Sequence, residues 1–221
     1  MSINKENYNS IIAELKAADT TLVAVSKTKP IKDIAALYDL GQRNFGENYV
    51  QELVEKSSAL PTDIRWHFIG HLQSNKVKYI ASFVHLIHGI DSEKLLREVN
   101  KQAAKNNRII NCLLQVHIAQ EETKFGFDVS EVQVFVNKIM ANELDLPHVN
   151  ICGLMGMASF SDNLQKVQSE FEMLAALYKK IQSSMPTFNT LSMGMSGDYK
   201  LAVQSGSTMV RIGSLLFGAR N

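Results

Sequence analysis

Cysteine, proline and tryptophan are scarce in this chain: two, four and one respectively among 221 residues. The two cysteines, Cys112 and Cys152, each sit inside an apolar run rather than a paired motif. That argues against a disulfide framework and reads as reduced core residues. With so few prolines there is no Pro/Ser-rich linker, and no charge block, low-complexity tract or internal repeat interrupts the chain. Residues 1–221 therefore read as a single domain. An excess of one charge is missing too. Lys and Arg total 23 against 22 for Asp and Glu, which gives no support to wholesale electrostatic binding of nucleic acid or membrane. No apolar run approaches the ~20 residues of a membrane span, and the N-terminus is polar, so neither a transmembrane segment nor a signal peptide is expected. The expected location is the cytoplasm.

What is present is a rhythm. Apolar segments of strand length alternate with longer stretches of helical periodicity, the pattern of parallel strands joined by crossover helices, which is the α/β class. Strands are expected at 22–26, 44–46, 66–70, 84–88, 112–118, 151–157, 189–192 and 209–212. Helices are expected at 31–40, 50–56, 74–80, 92–106, 129–141, 163–183 and 200–204, with a further one at 7–18 ahead of the first strand. A doubly wound open sheet gives the same alternation. Eight strands with intervening helices favour a (β/α)8 TIM barrel carrying an extra N-terminal helix.

In such a barrel the active site lies at the C-terminal ends of the strands. The run Leu22-Val23-Ala24-Val25 ends in Ser26-Lys27-Thr28-Lys29-Pro30. An amine placed there is partly desolvated, which lowers its pKa and suits it to attack carbonyl compounds. On position alone Lys27 equally marks where a strand meets water. Glu47 and Asn48 follow the second strand, where Asn48 reads either as a site residue or as a helix cap. His71, Gln73, Ser74, Asn75 and Lys76 follow the third. His67 and His71 have a His-x-x-x-His spacing, but it falls on a strand and lacks a third ligand, so no metal site is expected. The runs Ser192-Met193-Gly194-Met195-Ser196-Gly197-Asp198 and Arg211-Ile212-Gly213-Ser214 supply small residues after the last two strands. Such loops suit a phosphate, because Gly lets backbone N–H groups approach an anion and Ser adds hydroxyl donors. Each alone also fits an ordinary turn. Together, a lysine after the first strand and an anion cradle after the seventh and eighth suit a phosphorylated aldehyde, with the aldehyde near the amine and the phosphate across the barrel mouth. Pyridoxal 5'-phosphate is the evident candidate.

The chain resembles the pyridoxal phosphate homeostasis protein family, relatives of the N-terminal barrel of alanine racemases, over nearly its whole length. The resemblance is carried by Val23-Ala24-Val25-Ser26-Lys27-Thr28-Lys29-Pro30, Phe45-Gly46-Glu47-Asn48-Tyr49-Val50-Gln51-Glu52, Trp66-His67-Phe68-Ile69-Gly70-His71-Leu72-Gln73-Ser74-Asn75-Lys76, residues 191–198, and Gly206-Ser207-Thr208-Met209-Val210-Arg211-Ile212-Gly213-Ser214-Leu215-Leu216-Phe217-Gly218. It implies a fold-type III cofactor-binding barrel in which Lys27 forms the internal aldimine, Asn48 lies beside the cofactor ring and His71 lines the pocket. Ser196, Gly213 and Ser214 would hold the phosphate. Arg211 would meet the cofactor at the phosphate or at the pyridine nitrogen, and in the second position would weaken the ring as an electron sink. Two places depart from the family pattern: His117 stands where an asparagine is usual and reads as a core histidine, and Gly153-Leu154-Met155-Gly156-Met157 varies a common stretch. The implied function is a non-catalytic carrier in vitamin B6 homeostasis that passes its cofactor to dependent apoenzymes. Related racemases use a tyrosine from an added β-domain as second base, and here Tyr49 reads as packing. The alternative is a small racemase working within the barrel alone. A phosphosugar aldolase barrel is a third and more distant reading. Without the β-domain's dimer contact, a monomer is expected.

Overall fold

Strands in this chain are predominantly apolar, as parallel strands covered by helices usually are. The computed structural model describes residues 3–119, 125–185 and 187–218; Met1, Ser2 and the chain end at Asn221 lie outside them. Among the described residues eight parallel strands close a barrel in chain order. They are β1 (Thr21–Val25), β2 (Asn44–Glu47), β3 (Arg65–Phe68), β4 (Leu86–Ile90), β5 (Ile110–Val116), β6 (Val149–Gly156), β7 (Thr190–Met195) and β8 (Met209–Ile212). The open-sheet alternative is thereby excluded. Closure runs through β1 and β8, in register at Val23 with Arg211 and Ala24 with Ile212.

The helices are α1 (Lys5–Ala17), α2 (Ile31–Asp39), α3 (Val50–Ala59), α4 (Glu93–Lys105), α5 (Val129–Met140), α6 (Leu164–Gln182), α7 (Tyr199–Gln204) and α8 (Ser214–Phe217). Asn4 caps α1, its side chain accepting from the Asn7 N–H at 2.9 Å. That leading helix docks on α8: the Asn4 N–H donates to the Leu216 carbonyl and the Asn7 amide to that of Leu215. Among the described residues no helix is long and apolar enough to cross a membrane.

Several expectations shift, β5 among them by two residues toward the N-terminus. The segment after β3 is a 3-10 helix (Ser74–Tyr79) instead of an α-helix. β4 lies two residues later than its apolar run suggests, because Gly89, which reads as a stop, is inside the strand. β7 runs on to Met195 through Gly194, whose φ of +97° is open to glycine and costly for other residues. The short α8 was not foreseen.

Two cores fill the molecule. The larger lies between sheet and helices and includes Phe45, Trp66, Phe68, Phe171, Phe188 and Phe217. Inside the barrel a smaller one joins Val23, Leu86, Leu113, Cys152, Met155 and Met209. By strand alternation the neighbouring inward positions are polar: His67, His88, Ser192 and Arg211, all buried.

Candidate functional site

Lys27 is held by its neighbours. Ser26 continues the ladder, its N–H donating to Gly46 O at 3.0 Å. Its hydroxyl turns outward and donates to Glu47 Oε1 at 2.6 Å, in the layer between strand and helix. Lys56 of α3 enters the same layer, its amine reaching Ser26 O (2.9 Å), Glu47 Oε1 (2.8 Å) and Glu52 Oε2 (2.8 Å). Glu52 also accepts the Thr28 N–H at 2.8 Å, and Thr28 adopts a left-handed φ of +64°. Both flanks of Lys27 are therefore tied to one buried ion cluster, while alternation turns Lys27 itself toward the barrel mouth. Burial raises the Glu47 pKa against the pull of Lys56, whereas for Glu52 the burial effect is outweighed by bonds to Lys56 and the Thr28 N–H, leaving its pKa lowered. Of these partners the sequence marks Glu47 as a strand-end residue, but it does not mark Lys56 or its bonds to Glu47 and Glu52.

Asn48 follows β2 and faces the same mouth. Gly70 makes its position possible: a Cβ there would stand 2.4 Å from Asn48 O, so only glycine lets the two backbones approach. Asn48 is not a helix cap, since Tyr49 occupies that place with no side-chain cap bond. Its Oδ1 is buried and has no partner among the described residues. Tyr49 is 55% exposed, so it is not the packing residue expected.

The third wall comes from the ends of β7 and β8. The Gly213 N–H donates to Ser196 Oγ at 3.2 Å, tying the two loops together. Asp198 shapes the first of them by accepting the Met195 N–H at 2.6 Å. Arg211, one strand pleat deeper than Gly213, is 5% exposed. Its Nη1 donates to Ser192 Oγ (2.6 Å) and its Nη2 to Gly156 O (3.1 Å). Burial pulls its pKa down to about 10, with Asp198 opposing.

These walls enclose a cleft of about 380 Å³. Lys27, Lys29, Asn48, Ser196, Gly197, Arg211, Gly213 and Ser214 line it together with Val25, Ile69, Met157, Phe160, Met195 and Gly218. Three cations and no Asp or Glu are among these residues, in a chain whose formal net charge is only +1. The Lys29 amine donates to Phe217 O and Gly218 O at 3.1 and 3.3 Å. Because β8 neighbours β1 across the closure seam, the Ser196–Gly213 cradle lies beside Lys27, correcting the expectation that it stands across the mouth.

His71 does not join them. It sits in the loop after β3 with a side chain 42% exposed, its Nδ1 3.2 Å from Asp91 Oδ2 and its ring stacked on Phe125 at 4.0 Å between centroids. The contact with Asp91 and the aromatic stack hold it away from the cleft lining. His117 lies one residue past β5 and is half-buried, not the core histidine expected; its N–H donates to Phe127 O. No group of three or more potential metal ligands occurs among the described residues. Cys112 and Cys152 are buried and unbridged, with burial raising both thiols, Cys152 to about 11.

Fold and cleft together define a (β/α)8 barrel with a cationic cleft over its closure seam. The family model for "Alanine racemase, N-terminal domain" matches residues 4–221. Pyridoxal phosphate homeostasis protein of Haemophilus influenzae is 40% identical over 205 residues, covering 90% of this chain and 85% of that protein. Its namesake in Pasteurella multocida is 37% identical over 224 residues, covering 98% and 94%. Among solved structures, PipY of Synechococcus elongatus PCC7942 without PLP has a TM-score of 0.88 at 34% identity, covering 96% of this chain and 99% of PipY. The structure of PipY with PLP bound has a TM-score of 0.84 at 33% identity and the same coverage. The chain belongs to the pyridoxal phosphate homeostasis protein family, within the wider family of alanine racemase N-terminal domains.

Proposed function

We propose that this chain binds pyridoxal 5'-phosphate in the cleft over the β1–β8 seam, with the Lys27 amine carrying the covalent link, and serves vitamin B6 homeostasis without turning over a substrate. The observation that carries the proposal is the carboxylate-free cationic cleft, in which Lys27 stands beside a cradle of Ser196, Gly213 and Ser214. The names of its relatives and the PLP-bound PipY structure point the same way.

The residues fit the cofactor. Ser196 and Ser214 offer hydroxyls, and the Ser214 and Leu215 N–H groups that open α8 have no acceptor within the helix, whereas those of Leu216 and Phe217 are taken by Gly213 O; the free pair suits a phosphate dianion. Asn48 brings a buried acceptor that lacks a partner among the described residues, as a polar ligand in the cleft would supply. Arg211 lies one pleat below the cradle, a separation of roughly 7 Å along the strand, which favours the ring over the phosphate. When bound, the cofactor supplies an aldehyde that condenses with an amine to release water, and a ring whose electron demand depends on its nitrogen. Arg211 is a donor-only cation. Beside that nitrogen it would keep the nitrogen unprotonated, which would weaken the electron sink that catalysis at an amino acid needs. A racemase also needs a second base opposite Lys27. The described lining residues include no His, Tyr, Cys, Asp or Glu, and this favours a carrier over a racemase.

The same reading takes residues 1–221 as one domain, the chain as a cytoplasmic monomer, and pyridoxal-phosphate-dependent apoenzymes as recipients. The test is spectroscopic. Loaded wild-type protein is expected to show visible absorbance that borohydride fixes onto the Lys27 peptide and that Lys27→Ala lacks. Mapping the label to Lys29 or Lys76, or an unchanged chromophore in Lys27→Ala, would overturn the assignment. Exchange of the α-proton of alanine with solvent at enzymatic rates would replace the carrier by the racemase.

A further inference from the structure

TIM-barrel interiors are ordinarily filled by branched apolar side chains. Here five polar side chains stand in file across the interior. Arg211 Nη1 donates to Ser192 Oγ at 2.6 Å; Ser192 Oγ lies 3.0 Å from His88 Nδ1; His88 Nε2 lies 2.9 Å from His67 Nδ1; and His67 Nε2 lies 3.1 Å from Asn44 Oδ1. Ser192 and His88 expose no surface and His67 only 1%.

The chemistry of the end members orders every proton between them. A guanidinium only donates, so Ser192 accepts from Arg211. The Ser192 hydroxyl proton then goes to its other partner among the described residues, His88 Nδ1. A neutral imidazole that accepts at Nδ1 carries its proton on Nε2, and His88 therefore donates to His67 Nδ1. The same rule makes His67 donate from Nε2 to the amide oxygen of Asn44. Each member of the file donates away from Arg211, and each ring nitrogen is satisfied.

We infer that Ser192, His88 and His67 are positioning residues: a file of neutral hydrogen bonds, ordered in one direction from Arg211 to Asn44, fixes the guanidinium of Arg211 at the wall of the cleft. The file stands on the cleft's own geometry, and only its effect on a bound cofactor rests on the function proposed above. Protonating either histidine would replace an acceptor by a donor and break the file. Burial opposes this, holding His67 at about 3 and His88 well below the ordinary imidazole value. The charged or titratable groups acting on the pair reinforce it: Arg65 on β3, His85 at the entry to β4 and Arg211 on β8 all disfavour a further positive charge. The presentation of Arg211 to the cleft is therefore insensitive to pH across the neutral range.

The experiment uses the full chain, labelled with 15N and free of cofactor, followed by long-range proton–nitrogen spectra from pH 5 to 8. Two of the six imidazoles, assigned with His67→Gln and His88→Gln, are expected as fixed Nε2–H tautomers that do not titrate. Nδ1–H tautomers, or a midpoint near 6.5 for either ring, would overturn the file. In loaded protein, folded Ser192→Ala is expected to bind pyridoxal phosphate about tenfold more weakly and to alter the pH dependence of its visible absorbance, whereas Ser192→Thr, which keeps the hydroxyl, restores both. Unchanged affinity and titration in Ser192→Ala would overturn the positioning role. Failure of the wild type to bind the cofactor would sink the proposed function alone, because the spectra of the free chain read the file directly.

Discussion

Lys56 serves two carboxylates and a carbonyl at once, and the loop that presents Lys27 hangs on it. Its side chain is 6% exposed and that of Glu47 not at all. Removing one partner of a buried ion pair leaves an uncompensated charge, so Lys56→Met is expected to cost about 3–5 kcal/mol in urea unfolding. Glu47→Gln removes charge from the buried position while leaving Lys56 with Glu52, and its loss should be much smaller. Equal losses would mean that the cation is not the keystone. At this scale the sequence marks the cleft lining wherever a strand end carries it, as at Lys27, Ser196 and Gly213. It was silent where a residue's role depends on a partner far along the chain. His71 turns to Asp91, and Lys56 on α3 reaches back to Ser26. The period-2 pattern of Trp66-His67-Phe68 does mark His67 as inward, yet nothing local says that His88 and Ser192 line up with it.

Elements were legible in order and kind more than in extent, and β7 shows why. Gly194 reads as the start of a loop after Ser192, but the strand passes through it with a positive φ and a register shift against β8. That irregularity places Ser192 inside the barrel and Ser196 at its rim. A Cβ at 194 would lie 2.5 Å from the Ala202 Cβ. Gly194→Ala combines this clash with a backbone conformation that costs about 1–3 kcal/mol for a non-glycine residue. It is expected to lower the thermal midpoint and to weaken pyridoxal phosphate binding together, by tilting Ser196 away from the Gly213 N–H. A variant as stable and as tightly binding as wild type would show that the strand does not set the cradle. The α8 turn escaped notice because four residues are too few for periodicity to register.

For the molecule as a whole, the buried histidines set the response to acid. The folded pKa values of His67 and His88 lie below the ordinary 6.5, so beneath that pH the unfolded chain binds protons that the folded chain refuses. Stability is then fully present above about pH 6.5 and falls as pH drops, by ~1.4 kcal/mol per pH unit for each proton. With both rings contributing, unfolding free energy is expected to decline by about 3–4 kcal/mol between pH 7 and 5, before carboxylates titrate. A flat profile over that range would contradict neutral buried rings, and His88→Gln should remove about half of the slope. The alternation of segments made the barrel readable; which strands meet across its seam follows only from closure, and that seam has a consequence for synthesis. Lys27, the amine of the proposed covalent link, follows the first strand of the barrel, whereas Gly213 and Ser214 follow the last. Until β8 and α8 have emerged and α1 has found them, a growing chain carries Lys27 with nothing beside it to hold a phosphate. On the proposed function, capture of the cofactor would thereby be reserved for finished molecules.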